Sequence, residues 1–208
     1  MVFLHIIVLI LYFFVLAWLA LYGAHRALMV FLYYKYPRPG FPPPAALGAW
    51  PVVTVQLPVY NERHVVERLI DAVCGLDYPA DRLEVQVLDD STDETAPLAA
   101  ACVARHRARG VDIHYLPRTE RHGYKAGALH EGLRHARGEF IAIFDADFLP
   151  PPALLKQTLP GFADARVGMI QTRWGHLNRA ASLLTQVQAL MLDGHFIIEH
   201  TARQRSGR

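Results

Sequence analysis

Asp145-Ala146-Asp147 sets two carboxylates one residue apart directly after the apolar run Phe140-Ile141-Ala142-Ile143-Phe144. That run reads as a strand, and aspartates two positions apart at a strand end point to the same side. Two hard oxygen donors then stand where a divalent cation can bridge them to a diphosphate, while without a cation their mutual repulsion is costly. The plainer reading is a capping pair for the helix that opens at Pro150-Pro151-Pro152. Two further polar clusters follow strand-like runs: Tyr60-Asn61-Glu62 after Val52 to Leu57, and Asp89-Asp90 after Leu83 to Leu88. Any one of the three alone reads as helix capping. Together they mark a ligand crevice, because loops and helix N-termini converge beyond the carboxyl ends of strands in open α/β sheets.

The loop from Arg118 to Ala128, with Arg121, His122, Gly123 and Lys125, supplies cations and glycines where a helix begins. Anions favour such a place, since free backbone N–H groups and the helix dipole add to the side-chain charge. A solvated basic loop is the alternative, and the spacing is not that of a GxxxxGK[ST] phosphate loop. Other chemistries find little support. Among the 11 histidines, His130 with His135 and His195 with His200 are five apart, a spacing that does not share one face of an α-helix. There is no Gly-x-Ser-x-Gly elbow. Cys74 and Cys102 are too far apart for a Cys-x-x-Cys motif and fall in helical patterns, so they read as reduced core thiols. A formal net charge of +2 over 208 residues gives no field that argues for nucleic acid as a partner.

The elements that must position these residues alternate strand and helix, the signature of βαβ units around a mostly parallel sheet. Val65, Val66, Leu69, Ile70 and Val73 are spaced as a helix that Gly75 ends, and an Ala-rich helix runs from the turn at Thr92-Asp93 to Arg109. Val111 to Leu116 is the third strand. A helix from about Lys125 to Ala136 follows, broken at Gly138. The strand Phe140 to Phe144 is apolar on both faces and is therefore expected at the centre of the sheet. Val167 to Gln171 is expected as a further strand, and Ala181 to His200 as a last amphipathic helix.

Val2 to Tyr22 is almost wholly apolar, and about 20 such residues span a bilayer as a helix. A cleaved signal peptide fits less well, because nothing basic precedes the run and it exceeds an h-region. Arg26, Lys35 and Arg38 follow it, which places the remainder in the cytoplasm by the positive-inside rule. Tyr33, Tyr34 and Tyr36 suggest that the helix continues along the interface until the Pro-rich stretch Pro37 to Pro44 ends it. The expected organisation is a transmembrane helix at 1–24, an interfacial end and linker at 25–50, and an α/β domain at 51–208.

Four motifs in order, Leu57-Pro58-Val59-Tyr60-Asn61-Glu62, Leu88-Asp89-Asp90-Ser91, Gly123-Tyr124-Lys125-Ala126-Gly127-Ala128-Leu129 and Asp145-Ala146-Asp147, resemble the processive family-two inverting glycosyltransferases. Gln171-Thr172-Arg173-Trp174-Gly175-His176-Leu177-Asn178 is similar to the cellulose-synthase-like and glucomannan mannosyltransferase branch. The resemblance covers roughly residues 51–205 and implies a GT-A fold, a Rossmann-like, mostly parallel sheet. It implies that Tyr60 and Glu62 help form a nucleotide pocket, that Asp89 and Asp90 sit by base and ribose, and that Lys125 faces the diphosphate. Asp145 and Asp147 would hold Mg2+ or Mn2+, with Asp145 also against the donor. The expected activity is transfer of a hexose from GDP-mannose or UDP-glucose to a growing β-linked polysaccharide at a membrane, expected to be a bacterial inner membrane. Transfer to a lipid carrier, a catalytically incomplete nucleotide-sugar-binding fragment and a nucleotidyltransferase are the alternatives. The family's general base lies in a Thr-Glu-Asp motif and its acceptor-end helix carries Gln-x-x-Arg-Trp; neither occurs in this chain. Gln171 to Trp174 is read instead as a substrate-pocket strand, Asp193 and Glu199 are poor substitutes for the base, and the chain is expected to be a truncated, N-terminal part.

Overall fold

The computed structural model describes residues 1–36 and 49–206. The chain divides into two compact units, one of Met1–Phe41 with Gln171–Arg208, the other of Pro42–Ile170.

The second unit is built on four parallel strands, β1 (Val53–Val59), β2 (Leu83–Asp89), β3 (Ile113–Pro117) and β4 (Phe140–Ile143), in the order β3-β2-β1-β4. Val53 pairs with Leu83 on one side and Phe140 on the other, so β1 holds the centre. The chain winds outward from β1 to β2 and β3, then returns to add β4 on the opposite side. This reversal makes the gap between the ends of β1 and β4 a topological switch point, where open α/β sheets leave a crevice. β4 is thus the edge of the described sheet and not its centre, with Ile141 and Ile143 exposed on one face. Residues 167–171 form no strand, so no described neighbour covers that edge.

The two faces of the sheet differ in chemistry. Val53, Val55, Leu57 and Val59 of β1, with Val85 and Val87 of β2, face Leu69, Ile70 and Val73 of α2 (Val66–Cys74) and Ala99, Cys102 and Val103 of α3 (Thr95–Ala108) in one apolar core. On the other face the alternate positions are Thr54, Gln56, Glu84 and Gln86, all buried. Thr54 Oγ1 donates to Glu84 at 2.5 Å and Gln56 Nε2 to Gln86 Oε1 at 3.0 Å. Glu84 also accepts from the backbone N–H of Arg137, and Thr54 from that of Gly138. Pairing of this kind offsets the cost of burying polar groups, although Gln56 Oε1 and Gln86 Nε2 find no hydrogen-bond partner among the described residues. The layer supports α4 (Tyr124–Leu133), whose Leu129 carbonyl accepts from Gln56 and whose Gly132 lies directly on the amides. A short α5 (Leu154–Thr158) follows Pro150-Pro151-Pro152 as expected, adding Leu155 to the apolar side.

The first unit opens with α1 (Val2–Lys35), a single helix of 34 residues, about 51 Å at 1.5 Å per residue. Its most apolar stretch of 18 residues has a mean hydropathy of 2.8 and is wholly exposed, so it is long and apolar enough to cross a membrane. Tyr36 is extended, as the residue before a proline must be; the expected stop at Pro37 to Pro44 lies outside the described residues. The last helical stretch consists of α6 (Leu183–Asp193), a π-helical segment Gly194–His200 and α7 (Thr201–Ser206). The π-helix corrects the expectation for its histidines: five-residue spacing is its own repeat, and the rings of His195 and His200 lie 4.4 Å apart. Met29 and Leu32 of α1 pack on Ala202, and Arg26 pairs with Glu199 at 2.6 Å.

A Cβ on Gly132 would meet Gln56 Nε2 at 2.5 Å and Gln86 Oε1 at 2.9 Å, amides that are themselves held in place. Gly132→Ala is expected to destabilise the α/β unit by about 1–3 kcal/mol; an unchanged urea midpoint for the purified chain would contradict the close seating of α4 on the polar layer.

Candidate functional site

All four strands of the α/β unit deliver polar residues at their carboxyl ends. After β1, Asn61 adopts a left-handed conformation with φ 55°, which its short polar side chain tolerates. Its N–H donates to Ser91 Oγ at 2.9 Å and its Oδ1 accepts from the Thr92 N–H at 2.9 Å, tying the β1 loop to the β2 loop. This leaves Tyr60 and Glu62 exposed at the switch point, and the Glu62 carbonyl accepts from the N–H groups of Val65 and Val66 as α2 begins.

At the end of β2 the two aspartates part. Asp89 turns inward: one carboxylate oxygen accepts from the Ser91 N–H at 2.8 Å and the other from the Tyr115 hydroxyl at 2.7 Å. Burial, and then this carboxylate, push the Tyr115 hydroxyl well above its ordinary range, so it stays a donor. Asp89 therefore shapes the loop. Asp90 is also buried, but both its oxygens are gripped by Arg118, Nε at 2.7 Å and the terminal nitrogen at 2.6 Å. The fork raises the guanidinium's pKa further and leaves it a permanent cation. Arg118 continues to the carbonyls of His122 at 3.1 Å and Tyr124 at 3.0 Å, fastening the turn that starts α4. That turn needs its glycines: Gly123 has φ 69°, and a Cβ on Gly127 would lie 2.0 Å from the His122 carbonyl oxygen.

Arg121 lies flat on Tyr60, its guanidinium carbon 3.2 Å from the ring centroid, with Nε 3.8 Å from Asp90. Lys125, in the first turn of α4, forms an ion pair with Asp145 across to the end of β4. Asp145 and Asp147 do not stand on the strand, which ends at Ile143. They lie in a turn closed by the Phe148 N–H on the Asp145 carbonyl at 3.0 Å, so turn geometry and not strand alternation sets their directions. Asp147 is exposed.

The structure thus brings Tyr60, Asp90, Lys125 and Asp145 to one end of the sheet, with Glu62 and Asp147 at its surface and Asp89 withdrawn beneath. Arg118 and Arg121 were read only as cations of an anion-facing loop, and the grip of Arg118 on Asp90, the stacking of Arg121 on Tyr60 and the role of Tyr115 were not foreseen. Gln171 to Trp174 form no strand: Arg173, with Arg179, pairs with Asp193. Oxygen donors beside an ammonium, at a helix N-terminus, suit a hard divalent cation together with a phosphorylated ligand. The Lys125 ammonium on Asp145 shows that this carboxylate already takes a cationic partner.

A parallel sheet of order β3-β2-β1-β4 with acidic turns at its switch point has the architecture of a GT-A domain, its crevice lying beyond the strand ends. Residues 54–203 match glycosyl transferase family 2, and the chain belongs to that family. It is 44% identical over 168 residues to glucomannan 4-beta-mannosyltransferase 1 of Oryza sativa subsp. japonica, covering 78% of this chain and 32% of that protein. It is equally 44% identical over 155 residues to glucomannan 4-beta-mannosyltransferase 2 of Arabidopsis thaliana, covering 72% and 29%. The chain therefore spans about a third of the length of the curated relatives it matches. Among solved structures it is similar to the mannosyltransferase PcManGT from Pyrobaculum calidifontis in complex with GDP-Man and Mn2+, at 36% identity and a TM-score of 0.59, covering 72% of this chain and 44% of that one.

Removing the fork would strand a buried carboxylate. Arg118→Ala is expected to lower stability by about 3 kcal/mol in urea denaturation, and Arg118→Lys to lower it too, because an ammonium cannot grip both oxygens. Wild-type stability in both variants would contradict the assigned role of the pair.

Proposed function

We propose that this chain is the donor-binding part of a membrane-anchored inverting hexosyltransferase that uses a nucleotide sugar, GDP-mannose before UDP-glucose, to extend a β-linked polysaccharide. The observation that carries the reading is the Lys125–Asp145 pair across the β1/β4 switch point, with the Asp147 carboxylate in the same turn. The likeness to the GDP-Man and Mn2+ complex of PcManGT supports GDP-mannose, and the two plant glucomannan 4-beta-mannosyltransferases support a polysaccharide acceptor before a lipid carrier.

In this reading Asp145 and Asp147 hold a divalent cation, Mn2+ before Mg2+, which supplies Lewis-acid stabilisation of the leaving nucleoside diphosphate when bound. Lys125 leaves Asp145 and turns its ammonium onto the diphosphate, where the N–H groups of the first turn of α4 add their dipole. Tyr60 and Glu62 bound the nucleotide pocket, and Asp90, oriented by Arg118, faces base and ribose. Asp89 acts from beneath by fixing the loop. No general base is assigned: Asp193 is bound to Arg173 and Arg179, and Glu199 to Arg26 and His195. Residues 1–24 anchor the chain in a membrane, 25–50 are an interfacial helix end and linker, and 51–208 are the transferase domain. The relatives named are plant proteins, so nothing among them favours a bacterial inner membrane, and the proposal extends to a membrane alone.

Calorimetric titration of the detergent-purified chain with GDP-mannose and with UDP-glucose, each with and without Mn2+, tests the reading. Metal-dependent binding is expected, tighter for GDP-mannose, and weakened at least about tenfold by Asp145→Ala with Asp147→Ala. Absence of metal-dependent binding to either donor would overturn the function, and undiminished binding by the double variant would overturn the metal assignment.

A further inference from the structure

The seam between α2 and α3, on the apolar side of the sheet, carries a cluster that the donor site does not use. Asp71 stands in the second half of α2, and Cys102 and His106 in the second half of α3. Both helices return antiparallel to the strands, so their C-terminal halves lie away from the strand ends where the donor crevice opens. Cys102 and His106 are four apart and share one helical face. The donor atoms of the three residues lie within 4.8 Å of one another: Asp71 Oδ1 is 2.6 Å from His106 Nε2 and 3.7 Å from Cys102 Sγ.

We propose that this seam is a second cation site, for a thiophilic divalent ion such as Zn2+, with Asp71, Cys102 and His106 as ligands. A tetrahedral ion with bonds of about 2.0 Å to nitrogen and oxygen and about 2.3 Å to sulfur holds its donors about 3.3–3.6 Å apart; the two sides that meet at Asp71 Oδ1, 2.6 Å and 3.7 Å, lie within an ångström of that span, and the third is no longer than 4.8 Å. A thiolate, an imidazole and a carboxylate on an ion with one position left over form a borderline-soft set, unlike the all-oxygen pair at Asp145 and Asp147. Cys102 is fully buried, His106 nearly so, while the Asp71 side chain is half exposed, which gives the ion a way in and leaves room for a water as fourth ligand.

The cluster already attracts a cation. The Arg105 guanidinium lies 3.1 Å from Asp71 Oδ1 and 3.2 Å from Cys102 Sγ, touching two of the three ligands. It is partly exposed and has a second partner in Glu67 at 3.7 Å, to which it can swing when an ion takes its place. Burial pushes the Cys102 thiol up to about 11, and an ion that takes the thiolate releases the thiol proton to solvent. The ion would clamp α2 to α3 and need not take part in sugar transfer.

Cobalt distinguishes this site from the donor site, because a Cys ligand gives a thiolate-to-cobalt charge-transfer band in the near ultraviolet and oxygen ligands do not. Titration of the reduced, detergent-purified chain with Co2+ in the absence of nucleotide is expected to raise that band to saturation at one equivalent, and an equivalent of Zn2+ to abolish it. Cys102→Ser is expected to remove the band, and Asp71→Asn, a mild exposed change, to weaken binding at least about tenfold. Asp145→Asn with Asp147→Asn is expected to leave the band unchanged. A chain without the band, or a band that survives Cys102→Ser or Asp71→Asn undiminished, would overturn the proposal and leave the cluster as an arginine-centred tie between two helices.

Discussion

The crevice depends on one buried ion pair, the two-pronged grip of Arg118 on Asp90. Asp90 directly follows β2, Arg118 begins the loop after β3, and the same guanidinium reaches the carbonyls that start α4. The turn after β2 and the loop that leads from β3 into α4 meet at one planar group. The pair contributes little net stability, since desolvating two charges offsets their attraction. Its value is positional: with both oxygens held, the carboxylate cannot turn and the α4 N-terminus cannot drift from the sheet.

Two other constraints work with it. The polar layer of Thr54, Gln56, Glu84 and Gln86 breaks the usual rule that a parallel sheet is apolar on both faces. It gives α4 a hydrogen-bonded seat in which Gly132 permits contact. Helix register on that seat determines where Lys125 projects, and the Lys125–Asp145 pair then spans to β4. The result is a pre-arranged anion-facing end on one side and an acidic turn on the other, at the point where the strand order reverses.

Much of this was legible in the sequence, and the failures share a cause. Strand ends expected at Leu57, Leu88 and Phe144 fall within two residues of those observed, Val59, Asp89 and Ile143, because apolar runs stop abruptly at polar clusters, and Gly75 marked the end of α2. The strand expected at Val167 to Gln171 is not formed, and β4, expected at the centre, is an edge. Apolar content on both faces reports what a strand could bury, not which neighbours it has. The aspartates at 145 and 147 follow β4 as expected, but a turn and not strand alternation sets their directions. The contacts of Arg118, read only as one cation of a loop, and of Tyr115 were not legible because they are made with distant partners, Asp90 and Asp89. His195 and His200 were set apart by α-helical spacing, which a π-helix does not obey. The Asp71, Cys102 and His106 cluster likewise required the packing of two helices to appear.

The most direct test of the account is a crystal structure of the chain with GDP and Mn2+, with anomalous data at the manganese edge. The account predicts one manganese bound by carboxylate oxygens of Asp145 and Asp147, with Lys125 moved from Asp145 to the diphosphate and Arg118 still gripping Asp90. A manganese bound elsewhere, or a bound diphosphate with Lys125 still paired to Asp145, would contradict it.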